Sequence, residues 1–325
     1  MYILLTGCGG FIGFHLTLKL LKENKKIKII GIDNLNSYYS KKLKDERIKI
    51  LKKNSRFNFL KFDLINKKKL SNVFKKYNFK YVVHLAAQAG VRYSFSNPQK
   101  YLNSNISAFS NVIELCRTNG VKNFFFASSS SIYGNQRNFP IKEETQPEPV
   151  SFYGATKYSN EIIAYSYSNN YFFQCTALRF FTVYGPYGRP DMALYKFVDL
   201  IKKNKKIDVF NYGNHMRDFS YIDDIVNAVT KIIKYRLKIT NKKNFMTFNL
   251  AKGRSQKLIN FIKEIELNLK TKARINNIKF QRGDVLKTHA DISKLKRHTN
   301  FKAKIDIKEG IKNFIEWHNS YHKSK

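Results

Sequence analysis

A short apolar run over residues 2–6 breaks at once into Gly7-Cys8-Gly9-Gly10-Phe11-Ile12-Gly13, then into a helical pattern spaced by Leu16, Leu20 and Leu21. A second apolar run, 27–32, ends at Asp33. Strand, glycine turn, helix, strand and acid make one βαβ unit. Gly7, Gly10 and Gly13 lack side chains, so they allow a tight turn, close approach of backbone to a pyrophosphate, and tight helix packing. Spaced glycines alone are a weak signal. Here an acid stands 20 residues after Gly13 at a strand end. It is placed to accept hydrogen bonds from a ribose diol and to repel a 2′-phosphate, which favours NAD over NADP. Asp63, at the end of the next strand, is placed for the adenine edge or for a turn.

The alternation continues. Residues 57–62, 81–85, 123–127 and 173–180 read as strands, and 68–77, 98–119 and 153–168 as helices between them. This order predicts an α/β fold with a doubly wound parallel sheet of the Rossmann type. Past Phe181 the rhythm loosens into the turn-rich Gly185-Pro186-Tyr187-Gly188-Arg189-Pro190. Helices are expected over 193–201, from Asp223, over 258–269 and over 307–321, with a late strand at 245–250. Asp223 and Asp224 read as helix N-terminal charge and capping. The expected division is an NAD-binding domain over 1–180 and a smaller C-terminal α/β substrate-binding domain over 181–325. No linker separates them, so they should pack closely, and some later segments should return to the first sheet.

Composition excludes several classes. A hydrophobic share of 43% in 325 residues suits a folded core,, and no apolar run approaches the roughly 20 residues that span a bilayer. The start of the chain lacks the basic leader of a signal peptide, and three scattered cysteines suit neither a disulfide framework nor a zinc site,. Cytoplasmic residence, no metal and no membrane partner are the expectations. The formal charge of +37 invites a nucleic-acid reading,. The lysines, however, are spread along the whole chain among many Asn and Ile, so a solvated surface that attracts anionic substrates is the better account.

Tyr153 and Lys157 stand four apart and project from one helical face. An ammonium beside a phenol favours the phenolate, so the Tyr153 pKa is expected to fall from about 10 toward neutrality. A phenol so poised can take a proton from a sugar hydroxyl and return it. Upstream, Ser129 is expected just beyond a strand at the carboxyl edge of the sheet, where open α/β folds bind ligands. Its hydroxyl could bridge a substrate oxygen to Tyr153. By itself the Tyr/Lys pair could equally be an exposed helical pair.

These residues, in this order, resemble the extended short-chain dehydrogenase/reductase family, and within it the UDP-glucuronate 4-epimerases. The resemblance is carried by Asp33 to Asn36, His84 to Arg92, Ser128 to Gly134, Tyr153 to Lys157, Arg179 to Pro186, Gly188 to Met192, Arg217 to Phe219, and Arg282 to Asp284. It covers essentially the whole chain. It implies catalytic roles for Ser129, Tyr153 and Lys157, with Tyr153 as acid/base and Lys157 also binding the nicotinamide ribose. The cofactor site it implies comprises Gly7, Gly10, Phe11, Ile12, Gly13, Asp33, Asn34, Asp63, Leu64, Ala86, Ala87, Gln88, Asn105, Tyr153, Lys157 and Phe180, with Asn105 orienting backbone. The substrate side it implies is Ser130, Ser131, Phe181, Thr182, Arg189, Arg217, Arg282 and Asp284, the last three for the uridine diphosphate. His84 is expected to pack.

The family chemistry is a redox-neutral cycle. Tyr153 takes the 4-hydroxyl proton while hydride passes from carbon 4 to NAD, the 4-keto sugar turns, and the hydride returns to its other face. Related dehydratases and UDP-glucuronate decarboxylases carry an acid shortly after the Ser/Thr of the loop, whereas Ser130-Ser131-Ile132-Tyr133 has none. Inversion is therefore expected over elimination or decarboxylation. Hydroxyls of Ser130, Ser131 and Thr182, with Arg189, are expected to hold the sugar carboxylate. The competing readings are a 4-epimerase of neutral or N-acetylated UDP-hexoses, a net nicotinamide-dependent reductase, and a basic nucleic-acid binder. A homodimer is the expected assembly.

Overall fold

The computed structural model describes residues 1–171, 173–239, 244–281 and 283–323. The first half alternates β1 (Tyr2–Thr6), α1 (Phe11–Glu23), β2 (Lys28–Asp33), α2 (Lys41–Lys52), β3 (Phe57–Lys61), α3 (Lys67–Lys76) and β4 (Phe79–His84). Two short helices follow, α4 (Tyr93–Ser96) and α5 (Pro98–Tyr101), then a π-helical stretch (Leu102–Ser107) that runs into α6 (Ala108–Thr118). Next come β5 (Asn123–Ser129), α7 (Phe152–Tyr171), β6 (Gln174–Phe180), β7 (Thr182–Tyr184), α8 (Ala193–Lys202), β8 (Ile207–Phe210) and β9 (Met216–Tyr221). The remainder is α9 (Ile222–Lys238), β10 (Phe245–Leu250), β11 (Ser255–Lys257), α10 (Leu258–Leu269), β12 (Ile275–Ile278), α11 (Ser293–Thr299) and α12 (Ile307–Lys323). Among the described residues no helix is long and apolar enough to cross a membrane.

Seven strands form one parallel sheet in the order β10-β6-β5-β4-β1-β2-β3. Order reverses beside β1, so the loops after β1 and β4 diverge and leave a crevice at the carboxyl edge. The strands are apolar on both sides because both faces are covered. Ile3, Leu5, Val83 and Phe125 join one core, and Leu4, Val82, Phe124 and Phe126 the other. Strand β10 pairs with β6 in register Phe245 to Cys175 through Leu250 to Phe180, so the late strand does return to the first sheet. The rest of the second half builds a three-stranded sheet, β11-β9-β7, and a pair, β12-β8.

The helix expected over 98–119 divides into α5, the π-helical stretch and α6, and α4, β7, β8, β9, β11, β12 and α11 were not expected; three further departures bear on the site. The strand before the serine run extends through Ser129 rather than stopping at Ala127, because Ser128 and Ser129 pair with Arg179 and Phe180 of β6. Helix α2 was not expected; its buried stripe of Leu43, Lys44, Arg47, Ile48 and Leu51 includes two cations that hide the amphipathic pattern. Asp223 and Asp224 do fall in the first turn of α9, but that end carries no side-chain cap. Asp224 instead accepts from the backbone N–H groups of Lys304 and Ile305 and so tethers the segment before α12.

A buried polar network joins these layers. Arg179 donates through Nε and Nη2 to both oxygens of Glu161 on α7, at 2.9 and 2.7 Å, and both side chains are about 5% exposed or less. Its Nη1 donates to the Tyr133 hydroxyl and the Glu143 carbonyl, each 2.7 Å. Tyr133 in turn donates to Asn249 of β10, whose amide reaches the carbonyls of Ile141 and Asp291. Removing one member of such a pair strands a buried charge. Arg179→Met should therefore cost about 3–5 kcal/mol in a urea unfolding titration. Arg179→Met combined with Glu161→Leu should recover most of that loss, and a double variant no more stable than the single one would refute the account.

Candidate active site

The cleft lies at the carboxyl edge of the sheet, between the loops after β1, β2 and β3 and those after β4 and β5. Gly7 has φ +75°, and a Cβ there would stand 2.6 Å from the Ala86 nitrogen; a Cβ on Gly13 would stand 2.1 Å from the Gly7 carbonyl oxygen. Only glycine permits this approach of turn, helix and neighbouring strand. Every cofactor residue read from the sequence except Asn105 lines the cleft. Asp33 is both a turn residue and a wall of the site: its oxygens accept from Gly9 N at 2.9 Å and Leu35 N at 2.8 Å. Burial raises its pKa against those bonds and the charges of Lys44 and Arg47. Asp63 accepts from the Asn34 amide and from Ile65 N, so the two cleft residues brace each other.

Asn105 lies behind the wall, on the π-helical stretch. Its Oδ1 accepts from Gln88 N at 2.8 Å, and its Nδ2 donates to Gln88 O and Thr156 Oγ1. It thus fixes the loop after β4 against α7. The extra residue per turn of a π-helix, a form frequent at functional sites, aims this amide out of the helix.

Tyr153, Lys157 and Ser129 meet in the cleft. Ser129 stands close enough to the Tyr153 phenol to favour its ionised form, and its Oγ donates to Ser131 Oγ at 3.1 Å. The Lys157 ammonium donates to the Ala127 carbonyl at 2.9 Å, and Glu161, one turn further, accepts from the Ser128 hydroxyl. Three turns of α7 therefore hold three successive residues of β5. One expectation is corrected. Burial raises the Tyr153 pKa, outweighing the Ser129 bond and the Arg189 charge that lower it, and Lys157 is not among the groups acting on it. Burial instead lowers Lys157 itself to about 8. His84 packs: Thr6 Oγ1 lies 2.8 Å from its Nδ1, and burial, then the Lys157 charge, lowers its pKa to about 3.

On the substrate side, Phe181 lines the cleft, while Thr182 shares an adjoining hollow with Gly188, Arg189 and Met192. Arg189 also faces the cleft, and its Nε and Nη2 pair with Asp191, to which the Tyr38 hydroxyl donates at 3.2 Å. Ser130 and Ser131 occupy the single turn after β5 and do not line the cleft. Arg217 and Asp284 form a separate cluster with Arg92, whose Nη2 lies 2.9 Å from Asp284 and whose guanidinium sits 3.9 Å from the Phe210 ring centroid. Arg282 lies outside the described residues. Lys44, Arg47, Tyr38, Tyr39 and Asp191 were not picked out as site residues, although Asp191 lies in a stretch that carried the resemblance.

Residues 4–314 match the family model described as GDP-mannose 4,6 dehydratase. The chain belongs to that family. It is 42% identical to protein CapI of Staphylococcus aureus, over 99% of this chain and all of that one. It is 40% identical to the UDP-glucuronate 4-epimerase of Thermodesulfobacterium geofontis, over 97% of this chain and 95% of that one. Among solved structures, the UDP-glucuronic acid 4-epimerase of Bacillus cereus, in complex with UDP-glucuronic acid and NAD, superposes with a TM-score of 0.92 at 32% identity, covering 99% and 100% of the two chains.

The residues fit NAD. Gly7, Gly10 and Gly13 line the cleft, packed so closely on neighbouring backbone that a Cβ on any of them would push the turn out of place, and the first residues of α1 open onto the cleft with no side chain capping their N–H groups,. In NAD-free protein the Tyr153 phenol should titrate above about 10, and higher still in Ser129→Ala, because each loses more by burial than it gains from charge or bonding. Ultraviolet difference titration against Tyr153→Phe reads this directly; a midpoint below about 9 contradicts it.

Proposed function

We propose that this chain, an NAD-dependent nucleotide-sugar 4-epimerase, inverts carbon 4 of UDP-glucuronate to give UDP-galacturonate. The observation that carries the reading is the absence of a carboxylate beside Tyr153 and Ser129 among the described residues. The acids lining the cleft are Asp33 and Asp63, at the ends of β2 and β3. The nearby buried acids are committed elsewhere, Glu161 to Arg179 and Ser128, Glu143 to the Asn249 backbone. The family model takes its name from a dehydratase, but eliminating water needs a carboxyl group at the sugar, and this wall offers hydroxyls.

Bound in the cleft, NAD supplies a reversible acceptor for the carbon-4 hydride. The protein's part is proton transfer and orientation. Tyr153 takes the 4-hydroxyl proton, Ser129 holds the same oxygen, and the proton returns after the keto sugar has turned. Arg92, Arg217 and Asp284 are suited to the diphosphate and ribose, which would leave the sugar free to rotate about its phosphate bonds. Thr182 and Arg189 border one hollow at the cleft and supply a hydroxyl and a cation for the sugar carboxylate, with Ser130 and Ser131 on the neighbouring turn. Holding that carboxylate matters because a 4-keto glucuronate is a β-keto acid, prone to lose carbon dioxide.

Purified protein incubated with UDP-glucuronate and no added NAD should form UDP-galacturonate without net absorbance change in the reduced-nicotinamide band. A pentose product, or inversion confined to neutral UDP-hexoses, would overturn the substrate assignment. Arg189→Leu should reduce kcat/KM for UDP-glucuronate by roughly tenfold or more, as expected for a lost charge-assisted bond, and spare UDP-glucose by comparison. Equal loss on both would remove Arg189 from carboxylate recognition.

A further inference from the structure

Arg47 is one of the largest fully buried side chains of the protein, at 0% exposure. It makes no ion pair within the described residues. Its Nη1 donates to the Gly9 carbonyl at 2.8 Å and the Tyr39 hydroxyl at 2.7 Å, its Nη2 donates to the Tyr187 carbonyl, and its Nε has no partner. Lys44, one turn earlier on α2 and 5% exposed, donates to the Asn36 carbonyl and side-chain oxygen, each 2.7 Å. Asp33 feels the charge of both cations, Asp191 also acts on Lys44, and the two oxygens of Asp33 are already engaged by Gly9 N and Leu35 N. The neighbouring Arg189 and Asp191 neutralise each other. The pocket of α2 against the glycine turn is therefore left with excess positive charge and neutral acceptors.

The three acceptors of Arg47 come from three segments that enclose the cleft. Gly9 belongs to the glycine turn, where its N–H is gripped by Asp33 and its carbonyl by Arg47. Tyr39 belongs to the loop before α2. Tyr187 belongs to the 185–192 loop, which brings Arg189 and Met192 over the cleft. Tyr187 is in the left-handed region, φ +56°, a conformation a tyrosine adopts only when its surroundings impose it,. What imposes it is visible: Arg47 holds its carbonyl, His15 Nε2 lies 2.9 Å from the Pro186 carbonyl, and the Tyr187 ring packs against Phe14 and Trp317. Tyr38 closes the far side of the same loop through Asp191.

We propose that Arg47 is a positioning residue for the dinucleotide: it clamps the 185–192 loop onto the glycine turn and holds a buried positive charge that the cofactor's pyrophosphate neutralises. The proposal rests on the reading that NAD occupies this cleft. Arg47 is not among the residues that line the cleft. It acts through the Gly9 peptide, orienting the turn whose amides face the phosphates, and through the electrostatic cost of leaving its guanidinium uncompensated. Cofactor binding relieves that cost, and the clamp then resists cofactor escape. An epimerase needs this, because reduced cofactor lost in mid-cycle strands the keto sugar.

The test compares full-length protein with Arg47→Met, Arg47→Lys and Tyr38→Phe, each stripped of nucleotide and titrated with NAD by calorimetry, with melting curves in its presence and absence. Wild type should bind NAD and melt higher with it; failure there would overturn the dinucleotide reading itself. Arg47→Met should weaken NAD binding at least tenfold and lose most of the rise in melting temperature that NAD gives wild type, beyond any loss in the NAD-free protein from the three acceptors left unpaired. Arg47→Lys, which keeps the charge but not the three-way grip, should lie between. Tyr38→Phe removes one hydroxyl at the rim and should speed NAD dissociation several-fold. NAD binding within twofold of wild type in both Arg47→Met and Tyr38→Phe would overturn the proposal. So would an Arg47→Met protein that is insoluble, or that melts equally far below wild type with and without NAD.

Discussion

The candidate catalytic group of this molecule depends on one helix lying in register along one strand. Helix α7 presents Tyr153, Lys157 and Glu161 at intervals of four, and β5 meets them with Ser129, the Ala127 carbonyl and Ser128. Two of these three contacts would be liabilities alone. A buried carboxylate costs several kcal/mol unless paired, and an adjacent free carboxylate would draw the Lys157 ammonium to itself. Arg179 resolves both at once by engaging both oxygens of Glu161 from β6. The register of α7 on β5 is thus locked by an ion pair that takes no part in the chemistry, and Lys157 is left without a carboxylate partner.

The same logic of charge held without discharge recurs at the other end of the cleft. Asp33 spends its oxygens on the Gly9 and Leu35 amides, which shapes the loop after β2 while keeping a negative edge where a ribose would lie. Lys44 and Arg47 face it from α2 but bond to neutral oxygens. A site that must hold a phosphate-bearing ligand gains by keeping cations unspent, since internal ion pairs would have to be broken or shared on binding. The wall around Tyr153 needs the opposite balance, neutral hydroxyls and a phenol kept protonated by burial until the cofactor and substrate alter its surroundings.

The sheet and the glycine turn were legible in the sequence because each rests on local pattern, whereas the Tyr/Ser/Lys group needed the family resemblance to lift it above an exposed helical pair. Strands covered on both faces read as unbroken apolar runs, as in 124–127, and the glycines announce a turn through the side chains they lack. Helix α2 was not legible, although Ser40 caps it and accepts from Leu43 N. Its inward face carries Lys44 and Arg47, residues that composition assigns to solvent, so a buried stripe looked like a solvated one. The Tyr153 pKa was misjudged for a related reason. Spacing of four places Lys157 one turn away, but spacing does not say where the ammonium points, and it points to Ala127. The Arg92 to Asp284 pair joins residues nearly two hundred positions apart, beyond the reach of any periodicity.

The two halves of the cleft are tied by side chains of α1 and α2 that grip backbone carbonyls of one loop, and this bears on how the enzyme cycles. The 185–192 loop carries Arg189, which the proposed function assigns to the sugar carboxylate, and, through Tyr187 and Pro186, hangs from α2 and α1. A sugar carboxylate that drew Arg189 away from Asp191 would also load the Tyr38 hydroxyl bonded to that same carboxylate. On that assignment, substrate recognition and cofactor enclosure share one short segment, with a left-handed tyrosine at its centre. A redox-neutral epimerisation benefits from that sharing. The keto sugar must turn while the reduced cofactor stays, so the element that senses the sugar is best made from the element that shuts the cofactor in.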